Sequence, residues 1–313
     1  MSKITVIIPV YNAESSIDKC VDSILRQSFC DFSIIIVNDG STDNTKKELR
    51  KYSTNSRIKI IETKNQGVSA ARNEALKYVV SKYICFIDSD DYIEPNYLQD
   101  LFNGISCKEK IDMAVINISK QKSDGEKIYK SHYISGIMDA KTFSAYILAF
   151  NGPGGYLWNK IFKKDIIYNN SLQFDTELCI SEDLLFCIRY LKSCSTVNIL
   201  DSQGYNYIVT DSGITGSGKK RSKKAHYLSN YRIALKKIIK CLDMTNNQTA
   251  KSNCEARIVQ VDGSILRLTK NREVKEEIRL EIRQYIKSFR KSKIISFKQK
   301  LIVIMSVCIS YLF

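Results

Sequence analysis

The sequence has 313 residues, 44% of them hydrophobic and 26% charged, with 48 Lys+Arg against 33 Asp+Glu for a formal net charge of +15. These proportions exclude wholesale disorder and collagen-like repeats, and with only three prolines a Pro-rich linker architecture is excluded too. The length suits one large domain or two smaller ones with ample core.

Val6 to Val10 is an apolar run too short for a signal-peptide core, and it continues directly into patterned sequence. Ile4–Pro9 is expected to be a strand buried on both faces. Ile17, Cys20, Val21, Ile24 and Leu25 then recur at helical spacing. Phe32–Val37 is a second strand, and the turn-rich Asn38–Thr45 leads into a polar helix through Tyr52. Ile58–Glu62 is a third strand, Gly67–Val80 a helix and Tyr83–Asp88 a fourth strand. Such alternation implies an α/β fold with a mostly parallel central sheet and right-handed crossovers.

That topology brings the C-terminal ends of the strands to one edge. The residues following them are Tyr11-Asn12, Asp39-Gly40, Asn65-Gln66-Gly67 and Asp88-Ser89-Asp90-Asp91. Polar and acidic groups thus collect where open α/β sheets bind ligands. A dinucleotide site is disfavoured, because Gly-x-Gly-x-x-Gly does not follow the first strand, and no Walker-type phosphate loop occurs. Asp88 and Asp90 alternate at a strand end and can converge on one point. Two hard carboxylates suit Mn²⁺ or Mg²⁺, completed by waters and substrate phosphate oxygens. The bland alternative is an exposed acidic turn.

Four segments together resemble the family 2 glycosyltransferases. They are Val10-Tyr11-Asn12, Asn38-Asp39-Gly40-Ser41-Thr42-Asp43, Asn65-x-Gly67-x-Ser69-x-Ala71-Arg72-Asn73 and Asp88-x-Asp90-Asp91. Trp158-Asn159-Lys160 and Glu182-Asp183 extend the resemblance to about residue 210. It implies a GT-A nucleotide-sugar-binding fold, placed over 1–215, while charge and apolar patterning make 216–313 a basic, mainly helical C-terminal extension ending in an apolar tail. It also implies an inverting transferase that moves a sugar from a nucleotide-diphosphate donor, UDP-sugar favoured, to a hydroxyl of a glycan or lipid-linked acceptor.

The resemblance assigns nucleotide binding to Pro9, Tyr11, Asp39, Arg72, Asp88 and Ser89. Tyr11 would lie against the base and Asp39 would accept from an imide N–H, which favours UDP or dTDP. Asp90, with Asp88, would hold the metal, while Asp91 reads as structural. Asp183 would be the general base, with Glu182 as fallback; capping of the Leu184–Leu191 helix is the competing role of this acidic pair. Trp158, Asn159 and Lys160 would meet the acceptor, although a lone Trp equally suits packing. Relatives often carry an Arg and a Ser-Ile-Thr-like element after Tyr205-Asn206-Tyr207. Ile208–Gly216 lacks that Arg, leaving Lys219, Lys220 or Arg221 for the diphosphate, with Gly213–Lys224 as a loop that closes over donor.

Charge separates the two ends of the chain. Residues 1–214 carry 25 basic and 26 acidic side chains, residues 215–300 carry 23 and 7, and residues 301–313 carry none. Leu228, Tyr231, Leu235, Ile238 and Leu242 form one apolar stripe, and Ile278, Ile282, Ile286 and Phe289 another, flanked by cations. A basic amphipathic helix followed by Leu301–Phe313, too short to span a bilayer, fits a cytoplasmic protein held peripherally on an anionic membrane. Packing of these stripes on the catalytic domain or on a second subunit is the alternative. No nucleic-acid-binding signature occurs. Ten cysteines without a Cys-x-x-Cys pair, and only His132 and His226, argue for reduced thiols and a carboxylate base. Two rivals remain in view. A sugar nucleotidyltransferase would want a glycine-rich basic loop where Tyr11-Asn12-Ala13-Glu14 stands, and a catalytically silent membrane scaffold would not need the intact acidic residues.

Overall fold

The computed structural model describes residues 2–149, 151–209 and 221–312, apart from the side chains of 221–224 and 311–312. The first half runs β1 (Ile4–Val10), α1 (Ile17–Leu25), β2 (Phe32–Asp39), α2 (Thr45–Arg50), β3 (Ile58–Thr63), α3 (Val68–Leu76) and β4 (Tyr83–Phe86). Next come β5 (Tyr92–Ile93), α4 (Tyr97–Ser106), β6 (Ile111–Lys122), β7 (Lys127–Lys130), β8 (Gly136–Asp139) and α5 (Ala140–Ile147). The remainder is β9 (Lys160–Lys163), α6 (Lys164–Asn169), α7 (Glu182–Leu191), β10 (Thr196–Val209), α8 (Arg221–Asp243), α9 (Gln248–Leu268), α10 (Arg272–Lys291) and α11 (Phe297–Leu312).

Every residue of β1 is buried, as its unbroken apolar run requires. α1 buries Ile17, Cys20, Val21 and Ile24, the stripe its spacing predicts. α3 stops at Leu76 rather than continuing to Val80. There Tyr78 and Val79 bond back to Ala75 and Leu76, three residues earlier, so the last turn tightens and ends.

The sheet order is β3-β2-β1-β4-β9-β6-β10-β5, with β7 on β6 and β8 on β10. β3, β2, β1 and β4 pair in parallel, as do β6 and β10. β9 runs antiparallel to both β4 and β6, so the parallel arrangement read from the sequence describes the first four strands and not the whole sheet. β1 lies between β2 and β4, and this reversal of strand order opens the crevice where α/β sheets take ligands.

The chain divides into two compact units, neither continuous in sequence. One comprises Met1–Ala140, Tyr156–Thr176 and Ser193–Gly216 and holds the sheet. The other comprises Lys141–Gly155, Glu177–Lys192 and Ser217–Phe313 and is helical. A cut at 215/216 drawn from charge does not register the two nearly neutral inserts, 141–155 and 177–192.

In the helical unit α9 is the central element, packed by α8, α10 and α11. It also supplies the partners that the end of α5 lacks: Asn253 Nδ2 donates to Ala145 O at 3.1 Å and Arg257 Nε to Leu148 O at 2.7 Å. Asp262 on α9 is fully buried and pairs with Arg232 Nε of α8 at 2.9 Å. Arg232 also meets Glu277 and Glu281 of α10, and Lys236 meets Glu281 at 2.8 Å. No described helix is long and apolar enough to cross a membrane.

Candidate active site

The turn after β1 is stitched to the turn after β2. Asn12, at φ 50°, donates its N–H to Ser41 Oγ at 3.0 Å, while its side-chain oxygen accepts from Thr42 N at 2.8 Å. Ala13 N donates to Thr45 Oγ1 at 2.8 Å. Gly40 has φ +68°, and a Cβ there would stand 2.7 Å from Asn65 N, so only glycine lets the loop after β3 approach this closely. Pro9 is buried inside β1, whereas the Tyr11 ring emerges at its end, 48% exposed.

Asp39 ends β2 and is only 3% exposed. Its carboxylate accepts from Thr63 Oγ1 at 3.0 Å, from Gln66 N at 3.1 Å and from Gly67 N at 2.7 Å. Gln66 N reaches both carboxylate oxygens at 3.1 Å, so each oxygen accepts two bonds. The same contacts fix the loop that starts α3.

Arg72 projects from α3 and donates through Nη2 to Asp88 Oδ1 at 3.1 Å. Its guanidinium lies 5.4 Å from the centre of the Phe174 ring. Phe174 is held by a reciprocal pair of bonds with Asn73, 2.9 Å from Asn73 Nδ2 to its carbonyl and 2.8 Å from its N–H to Asn73 Oδ1. Phe174 is absent from the sequence-based site; the Asn following Arg72 in the third motif is the signal that points to such a partner.

Asp88, Ser89 and Asp90 follow β4, with Asp88 and Ser89 partly buried and Asp90 reaching solvent. Surrounding protein strips water from Asp90, and the Asp88 charge adds to this, so its pKa rises to about 6. Asp91 points inward, 1% exposed, accepting from Tyr205 OH at 2.7 Å and from Ile208 N at 2.7 Å. Burial, then the charges of Asp90 and Asp88, push its pKa well up against those two bonds. Asp91 therefore clamps β10 beneath the acidic turn, and Tyr205, overlooked as a site residue, is the other half of the clamp.

Two neighbouring carboxylates, one of them held up in pKa beside the other's charge, form a site that a hard divalent cation relieves. Among the described residues no group of three or more His, Cys, Asp or Glu could hold a metal by itself. The donor set fits Mg²⁺ or Mn²⁺ bound by one or two carboxylates and otherwise by phosphate and water.

Trp158 is 4% exposed, stacked between Tyr156 at 4.7 Å and Tyr205 at 4.3 Å, with Tyr207 at 5.6 Å. Both ring faces are thus covered by protein. Asn159 and Lys160 are fully buried, and Lys160 Nζ donates to Tyr156 O at 2.7 Å and to Asn159 Oδ1 at 2.8 Å. Solvent reaches Tyr156, 38% exposed, and in part Tyr207.

Glu182 and Asp183 open α7 in the helical unit. Asp183 Oδ1 accepts from Leu184 N at 2.6 Å; Ser181, at φ 61°, makes no side-chain cap. Glu182 is 9% exposed. A Cβ on Gly155 would meet Leu184 Cα at 2.4 Å, so glycine permits the 153–155 turn to lie against the first turn of α7. Thr210–Gly216, Lys219 and Lys220 lie outside the described residues, as does the side chain of Arg221. α8 begins at Arg221, so the last four residues of the expected 213–224 loop are helical.

The family model for glycosyl transferase family 2 matches residues 5–169, from β1 through α6. The chain belongs to that family. It is accordingly a glycosyltransferase, in which the GT-A sheet carries the acidic turn. An uncharacterized glycosyltransferase, EpsJ of Bacillus subtilis, is 27% identical over 236 residues, covering 74% of this chain and 68% of that protein. The poly(ribitol-phosphate) beta-N-acetylglucosaminyltransferase TarS of Staphylococcus aureus is 28% identical over 217 residues, 68% of this chain but only 36% of TarS. The fold matches the crystal structure of TarS 1–349 in complex with UDP-GlcNAc, with TM-score 0.62 and 21% identity, over 92% of this chain and 89% of that one. It also matches a mannosyltransferase from Pyrobaculum calidifontis in complex with GDP-Man and Mn²⁺, with TM-score 0.55 and 12% identity, over 99% and 87%.

Proposed function

We propose that this glycosyltransferase moves a sugar, with inversion, from a UDP-sugar to a hydroxyl of a glycan or lipid-linked acceptor. The observation that carries the reading is the pairing of Arg72 with Asp88, at 3.1 Å, beside Asp90 at the C-terminal ends of β1 and β4. An acidic pocket with one buried cation suits a diphosphate that arrives with its own divalent ion. TarS with UDP-GlcNAc and the Pyrobaculum enzyme with GDP-Man and Mn²⁺ share the fold and support the donor class.

In this reading the exposed Tyr11 ring stacks on the base, and Asp39 accepts from its imide N–H. Pro9 and Ser89 frame the nucleotide. Arg72 orients the diphosphate and holds Asp88 in place. Asp88 and Asp90 would hold Mn²⁺ or Mg²⁺, which when bound neutralises the diphosphate leaving group. Asp183 takes the proton from the acceptor hydroxyl as that oxygen attacks C1 and the C1–oxygen bond to the nucleoside diphosphate breaks. Glu182, more deeply buried, is the fallback base. Tyr156 meets the acceptor, with Trp158, Asn159 and Lys160 as its packed support. The proposed setting is the cytoplasmic face of the cell membrane, and residues 1–215 and 216–313 are the proposed catalytic and attachment regions.

A screen of UDP-, dTDP- and GDP-sugars for nucleotide release, with Mn²⁺ or Mg²⁺ and with or without membrane extract, tests the proposal. Metal-dependent release of UDP is the expected result. No release from any donor, with the protein folded, would favour a silent scaffold.

A further inference from the structure

α11 is built inside out for a helix in water. Its face against α9 is Val303, Ser306 and Ser310, exposed to 3%, 5% and 4%. Arg267 Nη1 donates to Ser306 Oγ at 2.7 Å and Arg279 Nε to Ser310 Oγ at 3.2 Å, so the protein provides partners for the buried hydroxyls. The opposite face presents Leu301, Ile302, Ile304, Met305 and Ile309 to solvent, Met305 to 59%. Phe297, at the start of the helix, is 77% exposed. A soluble amphipathic helix does the reverse, and a contiguous apolar face of this kind marks a surface that something covers.

Charge identifies the cover. No acidic residue occurs after Glu281, while Arg283, Lys287, Arg290, Lys291, Lys293, Lys298 and Lys300 all do. Arg283, Lys287, Arg290 and Lys291 are exposed on the last turns of α10, which the chain joins directly to α11. Lys300 Nζ donates to the carbonyls of Arg290 at 2.9 Å and Ser292 at 2.7 Å, tying the two helices at their junction. A second copy pairing through the same face would set these cations against each other. Nucleic acid would match the cations and leave the apolar face bare. An anionic bilayer satisfies both, with headgroups at the cations and acyl chains under the apolar side.

We infer that α11 and the C-terminal half of α10 form a docking surface for an anionic lipid bilayer, with α11 lying flat in the interface. The 16 residues of α11 extend about 24 Å at 1.5 Å per residue, shorter than a ~30 Å hydrocarbon core, so the helix lies in the surface and does not span it. This goes beyond the sugar-transfer reading in naming the surface and the lipid charge, and it does not depend on that reading.

The test is flotation of the full chain with phosphatidylglycerol-containing vesicles and with pure phosphatidylcholine vesicles, alongside the double variant Ile302→Glu/Met305→Glu. Both positions are exposed, so circular dichroism and thermal unfolding should match the parent chain. The parent should partition onto anionic vesicles about tenfold or more better than onto neutral ones, and the double variant should lose about tenfold or more of that binding. Equal binding to both vesicle types, or unchanged binding by the folded variant, overturns the inference. So does a parent chain that ignores vesicles and forms a dimer that the double variant dissociates, because the face is then a self-interface.

Discussion

Arg72 and Asp88 form a nearly closed pair: the guanidinium side chain is 6% exposed, the carboxylate 30%, and 3.1 Å separates them. The Arg comes from α3 and the Asp from the end of β4, so one contact joins the third and fourth motifs. Its support, Phe174, arrives from a hundred residues downstream through Asn73.

Arg72→Ala should therefore lower kcat/KM for donor hydrolysis by at least about 30-fold, the equivalent of the ~2 kcal/mol of a charge-assisted hydrogen bond. Arg72→Lys should recover little, because the planar contact with Phe174 is lost as well. Full activity in both variants would remove Arg72 from the donor site.

Asp90→Asn should weaken the apparent affinity for Mn²⁺ by about tenfold or more, since one of two hard anionic ligands becomes a neutral amide. Chelation should abolish nucleotide release by the parent chain, and re-added Mn²⁺ should restore it. Activity insensitive to chelation would argue for cation-independent transfer.

Asp183→Asn should leave donor binding, read by calorimetry with UDP, near the parent value while transfer to acceptor falls by about 10²-fold or more. Gly155→Ala probes the same helix from the other side. Its Cβ would collide with Leu184 Cα, so α7 must shift, costing about 1–3 kcal/mol of stability and displacing the neighbouring Asp183. A Gly155→Ala protein with unaltered melting and turnover would contradict the close approach.

Tyr205→Phe removes the hydroxyl that bonds to buried Asp91 at 2.7 Å. The expected cost is about 1–3 kcal/mol in urea unfolding, because the carboxylate stays buried with one donor fewer. An unchanged midpoint would show that Ile208 N alone suffices.

The stability of the helical unit should fall as pH rises from acid to neutral, through Asp262. Burial raises its carboxyl to about 8, opposed by Arg232 and Lys236 of α8 and reinforced by Glu281 of α10, with Glu277 also in the cluster. The folded chain therefore holds a proton that the unfolded chain releases near pH 4. This contribution to stability is complete below that pH and is lost as pH rises towards about 8. Asp262→Asn should flatten the pH dependence of unfolding over that window.

The parallel half of the sheet and its strand-end residues were legible because buried strands leave apolar runs and turns leave Asp, Asn and Gly. The antiparallel insertion of β9 was not, since Lys160–Lys163 has a lysine at each end and no such run. Trp158 could not be sorted from sequence, because stacking on a sugar and stacking between Tyr156 and Tyr205 demand the same residue. α9 escaped notice for a related reason. Buried nearly all round, with Glu255 and Asp262 in its core faces, it shows no clean apolar stripe.

The chain crosses between its compact units five times, after residues 140, 155, 176, 192 and 216. During synthesis α7, with Asp183 at its start, leaves the ribosome before α8, against which it packs, has been made. The helix bearing the proposed base thus completes its surroundings only when the basic third of the chain emerges. A premature stop near residue 216 would cost the enzyme more than its attachment to a surface, because it would also leave α7 without its partner helix.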